Sequence, residues 1–295
     1  MKTMQRSAAA VETTAAAVFR IALGVEYNGS AYYGFQLQNN ELPTVQGALE
    51  KALSEVAGGE PVRLVCAGRT DAGVHACEQV LHFETSVMRK PAGWLFGSNR
   101  YLPKDISVLW VHQVTEDFHA RFSACRRRYR YVIYSDPVRP ALLGTSITWT
   151  HKSLDVGRMN QAAKYLLGTH DFSSFRDSDC QAKSPVKTLD GICLTKYGRF
   201  IVLDVRASAF LHHMVRNIAG TLMKIGAGEK PPEWMQQVLQ ARQRAAAGAT
   251  APAYGLYLVQ VEYPEQFNLP RRPLGPHFLG AMPDVFAGTN DENQS

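Results

Sequence analysis

Apolar and polar residues alternate through FRIALGVEYNG from Phe19, and the run stops at Asn28-Gly29, which marks a half-buried strand entering a turn. Thr44 then precedes Val45, Leu49, Ala52, Leu53 and Val56, a helical stripe with an N-cap residue before it and Gly58-Gly59 after it. VRLVC (62–66) and QVLHFE (79–84) read as buried strands, 91–100 as a helix that starts on a proline, and ISVLWVHQV (106–114) as another strand. The second half repeats the style. YRYVIY (129–134) alternates so that Tyr129, Tyr131 and Ile133 share one sheet face. A helix capped by Asp155 runs to Leu167 and Gly168, and strands follow near 191–196 and 200–206. The spacing of Leu211, Met214, Val215, Ile218 and Leu222 predicts a long helix over 211–225. A short helix after Pro231-Pro232 and a strand near 254–263 complete the globule.

Strands and helices do not alternate strictly, so the pattern predicts an α+β fold with mixed or antiparallel sheets rather than a doubly wound parallel one. It divides the chain into a disordered leader over 1–17, α+β domains over 18–117 and 118–265, and a Pro-rich flexible tail over 266–295.

Composition adds few constraints. A chain of 295 residues, 45% hydrophobic and 20% charged, has ample capacity for a core. Its net charge of +6 permits a nucleic-acid partner without requiring one. Five scattered cysteines form no CxxC pair, which suits reduced thiols in the cytoplasm. No apolar run is long enough to span a membrane, and Glu12 interrupts the only segment resembling a signal peptide.

Three stretches hold candidate chemistry. AGRTDAGVHA (67–76) places Arg69 and Asp71 in a glycine-flanked loop leaving a strand. There Asp71 can serve as base or nucleophile, although on residues alone a turn-capping Asp paired with Arg69 is the stronger reading. FHARFSACRRRYRYVIY (118–134) interleaves Arg121, Arg126, Arg127, Arg128 and Arg130 with tyrosines, which suits phosphate contact and base stacking, or equally a solvated basic strand. FLHHMVRNIAG (210–220) sets His212 and Arg216 four residues apart. Two adjacent histidines lack the third ligand a metal needs, whereas Arg216 can hold a nearby carboxylate ionised.

Together these stretches resemble the TruA family of tRNA pseudouridine synthases. The resemblance runs through GRTDAGVHA (68–76), NxxLP (99–103), FHARFSA...RRYRY (118–131), LLGxHDFxSF (166–175), FLHHMVRNIxG (210–220) and GLYL (255–258), and so covers about residues 19 to 265. It implies two sheet domains meeting at a central RNA-binding cleft, and isomerisation of uridines 38, 39 and 40 in the anticodon stem-loop of tRNA by a homodimer that needs no cofactor and no metal. By the same resemblance Asp71 is the catalytic aspartate. Tyr129 stacks on the target uracil and is a candidate for C5 deprotonation, Arg216 pairs with Asp71, and Arg69 helps turn the nucleotide out. Arg126 and Arg128 are expected among the RNA contacts. The rival readings are a pseudouridine synthase acting at another RNA position and a catalytically silent tRNA-binding module.

Overall fold

The computed structural model describes residues 17–38, 42–178, 180, 182–280 and 282–287, so the expected leader lies almost wholly outside the described residues. The strands are β1 (Phe19–Tyr27), β2 (Val65–Cys66), β3 (His75–Thr85), β4 (Ile106–Val114), β5 (Arg126–Ser135), β6 (Thr148–Thr150), β7 (Gly168–Asp171), β8 (Val186–Tyr197), β9 (Phe200–Ala207) and β10 (Leu256–Glu262). The helices are α1 (Val45–Val56), α2 (Pro91–Tyr101), α3 (Val156–Ala163), α4 (Met214–Gly226) and α5 (Trp234–Ala241).

The class is α+β, as the pattern of elements predicts. The sheets of the two halves are continuous: the strand order is β4-β1-β3-β10-β5-β9-β8-β7, with β2 added on β3 and β6 on β5. The junction is β10. It pairs parallel with β3 through Tyr257↔His75 and Leu258↔Ala76, and antiparallel with β5 from Leu256↔Tyr131 to Glu262↔Arg126. A strand from the end of the chain thereby bridges the two halves of the molecule.

Local chemistry explains the departures from the predicted elements. VRLVC contributes only Val65 and Cys66 to the sheet, because α1 satisfies the backbone before them. Ser54 Oγ accepts from Val62 N–H at 2.9 Å, and Glu50 Oε1 accepts from Leu64 N–H at 3.0 Å. Those side chains replace a neighbouring strand, as buried peptide groups require. The helix after Asp155 tightens into a 3-10 turn over 164–166, although its predicted cap holds: Asp155 Oδ1 accepts from Arg158 N–H at 3.0 Å. The helix predicted from Leu211 starts at Met214, because His213 adopts a left-handed backbone with φ +59°.

Alternation along β5 sorts its side chains. Tyr129, Tyr131 and Ile133 enter the main core beneath α4. Arg128 and Arg130 point to the opposite face, where both are buried against Asp204 (Arg128 Nε to Oδ1 2.7 Å, Arg130 Nε to Oδ2 2.9 Å).

That opposite face also receives part of the segment read from composition as a flexible tail. Gly275 O accepts from Arg130 Nη1 at 2.8 Å, and Asp284 Oδ1 accepts from Arg128 Nη1 at 2.7 Å. Phe286 lies on the guanidinium groups of Arg128 and Arg206, at 4.6 and 5.3 Å. Its ring fits over Gly191, where a Cβ would stand 2.9 Å from it. The described residues of this polar, proline-rich stretch are thus packed as far as residue 287, held by charged and aromatic contacts that composition does not reveal.

Candidate active site

The loop between β2 and β3 is held from several sides. Thr70 carbonyl accepts from Phe35 N–H at 3.0 Å, Tyr27 Oη lies 2.8 Å from Thr70 Oγ1, and Gln79 Nε2 donates to Gly68 O. Arg127 Nη2 donates to Ala67 O at 2.9 Å. Gly73 takes φ +77°, which a side chain adopts only with strain, and its carbon faces Ala253 and Tyr254. The chain therefore reverses directly after Asp71, and Asp71 O accepts from Val74 N–H at 3.1 Å.

Asp71 is thereby aimed at the start of α4, which is itself pinned. A Cβ on Gly220 would stand 1.8 Å from Ala249 O, so glycine there lets the helix sit directly on the 249–251 strand of backbone. Arg216 Nε donates to Ala251 O at 2.9 Å, and Arg216 Nη1 donates to Asp71 Oδ2 at 3.1 Å. One guanidinium is thus fixed by a carbonyl on one edge and held to the catalytic candidate by another. The pairing implied for Arg216 is present.

Two further groups reach the same carboxylate. His212 Nε2 lies 3.2 Å from Oδ1 and His213 Nε2 3.3 Å from Oδ2, with the two rings stacked at 4.0 Å. Behind them stands Asp177, whose Oδ2 is 2.6 Å from His213 Nδ1 and whose Oδ1 is 3.7 Å from His212 Nδ1. Sequence reading noted the histidines but gave them no contact with Asp71, and it missed Asp177 entirely. The left-handed His213 backbone lets both imidazoles turn toward one point, and helical spacing gives no sign of that.

These contacts set the charge of the site. Burial pushes the Asp71 carboxyl up, but the hydrogen bond from His212 and the charges of His213, His212 and Arg216 outweigh it and hold the group below its ordinary value of 3.8. The His212 imidazole is pushed up in turn, first by its hydrogen bond to Asp71. Tyr129 is buried with its ring edge-on to Phe210 at 5.0 Å, and burial followed by the nearby Asp71 charge pushes its phenol well above the ordinary tyrosine range.

The arginines divide by position. Arg69 is exposed two residues before Asp71, at the mouth of the loop. Arg128 does not reach the site: its side chain is 2% exposed on the far face and its guanidinium is committed to Asp204 and Asp284. Arg126 is half-exposed and paired with Asp190 at 2.6 Å and Glu262 at 3.6 Å. The arginine of this run on the Tyr129 side is Arg127, which braces the loop at Ala67. A separate depression lined by Glu26, His75, Cys77, Asp105 and Phe278 lies on the sheet face opposite Tyr129 and contains none of these groups.

A half-buried aspartate held by one arginine and two histidines, one sheet strand from a buried tyrosine, coincides with a match to a known family. The model of the tRNA pseudouridine synthases matches residues 24–123 and 162–264, which include Asp71 and Arg216. The chain belongs to the tRNA pseudouridine synthase family. It is 61% identical over 277 residues to a Pseudomonas aeruginosa protein named tRNA pseudouridine synthase A, covering 94% of this chain and 97% of that one. Proteins of the same name from Enterobacter sp. (strain 638) and Coxiella burnetii are each 55% identical, covering 89% and 88% of this chain and 96% and 99% of theirs. Membership makes the chain an RNA-modifying isomerase, which removes the silent binding module from contention.

Proposed function

We propose that this family member isomerises uridines 38, 39 and 40 in the anticodon stem-loop of tRNA, with Asp71 as the catalytic carboxylate. The observation that carries the reading is the convergence of Arg216, His212 and His213 on the Asp71 carboxylate, in a loop that exposes Arg69.

The reaction breaks the N1–C1′ bond, turns the uracil and rejoins it through C5, which gives up its proton while N1 gains one, without net redox change. An unprotonated carboxylate is competent either to attack C1′ or to remove a ribose proton on the way to a glycal. Both routes require the charge that the surrounding cations maintain. The target nucleotide must first leave its stack, at a cost of a few kcal/mol. Stacking on Tyr129 returns ~1–3 kcal/mol of that cost, and Arg69, exposed two residues before Asp71, is assigned to help turn the nucleotide out. We assign Tyr129 to stacking on the uracil and keep its hydroxyl, beside the Asp71 charge, as the candidate for removal of the C5 proton.

Two further expectations belong to the same proposal. One is the homodimer that the family resemblance implies. Five free cysteines suit a reducing cytoplasm. Among the described residues no helix is long and apolar enough to cross a membrane.

Tritium release from C5-labelled tRNA transcripts, with uridines 38, 39 and 40 replaced one at a time, tests the assignment of position. Each replacement should remove its own share of the release. Release that ignores all three replacements would place the target elsewhere in the RNA.

A further inference from the structure

The histidines that hold Asp71 also complete a donor set. Two adjacent imidazoles need a third ligand before they can hold a metal ion firmly, and the fold brings Asp71 to them from the far earlier loop between β2 and β3. One donor atom from each of Asp71, His212 and His213 lies within 4.8 Å of the others. The two nitrogen–oxygen separations are 3.2 and 3.3 Å. Donors bound at about 2.0–2.1 Å around a tetrahedral zinc ion stand about 3.3–3.4 Å apart, so the His212–Oδ1 edge of the coordination shell is already at length.

Hydrogen bonding alone also explains separations of that size. The outer support points further. Asp177 meets Nδ1 of His213 at 2.6 Å and approaches Nδ1 of His212 at 3.7 Å. A carboxylate on the far ring nitrogen keeps the proton at Nδ1 and turns the Nε2 lone pair toward the ligand, as it does behind metal-binding histidines. Arg216 opposes a cation here, but its contact is with Oδ2, which leaves Oδ1 to coordinate. His212, 39% exposed, gives the ion a way in from solvent.

We propose that Asp71, His212 and His213 form an inhibitory site for a divalent transition-metal ion of the zinc class, with Asp177 as its outer support. Two imidazoles and one carboxylate suit Zn2+ or Co2+, whereas Mg2+ prefers oxygen donors in octahedral array and should leave the site alone. On the reading that Asp71 is the catalytic carboxylate, an ion on Oδ1 removes the free charge and occupies the approach of the ribose. Activity should then fall with added Zn2+ and return with a chelator.

Binding is read on the full chain without RNA, by calorimetric titration of Zn2+ and by the visible absorption of Co2+. One ion per chain is expected. Stoichiometric binding should be lost in Asp71→Asn and in His213→Gln, with His212→Gln carried beside them because His213 occupies a strained backbone position. Asp177→Asn should weaken binding by about 10–100-fold. Thermal unfolding monitored by circular dichroism identifies which variants are folded. Cys180 Sγ accepts from His212 N–H at 3.4 Å, so Cys180→Ser is the control. Absence of stoichiometric binding, or binding that survives both histidine substitutions and disappears in Cys180→Ser, overturns the site. If Zn2+ binds as described while the enzyme leaves uridines 38–40 untouched, the position assignment fails and the metal site stands.

Discussion

The charge on Asp71 is the residue-scale event on which the chemistry depends. Burial opposes ionisation of the carboxyl, and the contacts with His212, His213 and Arg216 reverse that opposition. Because the folded pKa lies below the ordinary 3.8, ionisation contributes stability above that value, and this contribution is lost as the pH falls through the lower folded value. The acid limb of kcat/KM should therefore lie below the ordinary carboxylate value of about 4 wherever Asp71 alone controls it. Arg216→Ala removes one of the groups that depress the pKa. It should move that limb to higher pH and lower turnover at neutral pH; a pH–rate profile of unchanged position would contradict the pairing as a source of charge control.

At the scale of elements, β5 shows what could be read from sequence and what could not. The alternation that puts Tyr129 and Tyr131 on the core face puts Arg126, Arg128 and Arg130 on the other. The expectation of Arg128 as an RNA contact followed the density of arginines in the segment and overlooked that two-residue period. The partner of Arg128 and Arg130, Asp204, lies on β9, and nothing in its local sequence marks it. The same holds for Asp71 and Arg216, whose 145-residue separation is closed by β10, α4 and the packing of Gly220 on Ala249. Family resemblance supplied that pair; periodicity could not. The capped helix at Thr44 and the buried strands were legible because their causes are local, whereas the left-handed turn at His213 gave no local signal. The Asp204 cluster also permits a quantitative check. Asp204→Ala leaves two arginines, 2% and 1% exposed, without their shared counter-ion. Urea unfolding should show a loss of about 3–5 kcal/mol, and a change below about 1 kcal/mol would mean that Asp284 and the carbonyl of Gly275 carry the pair unaided.

At the scale of the whole molecule, one continuous sheet holds the two parts of the site in fixed relation. The Asp71 loop precedes β3, the Tyr129 strand is β5, and β10 lies hydrogen-bonded between them. The last strand of the sheet is therefore a structural condition for a site whose other parts come from both halves, and the packed segment through residue 287 braces the reverse face. Such a frame suits a reaction that positions one displaced nucleotide against one charged group. The most direct test sets turnover beside binding for Asp71→Asn, which preserves shape and removes the charge. If Asp71 is the catalytic carboxylate, tRNA affinity stays within a few-fold of the unsubstituted enzyme while single-turnover formation of pseudouridine falls by more than about a thousandfold. Turnover that stays above that level, with tRNA still bound, would contradict the catalytic role of Asp71.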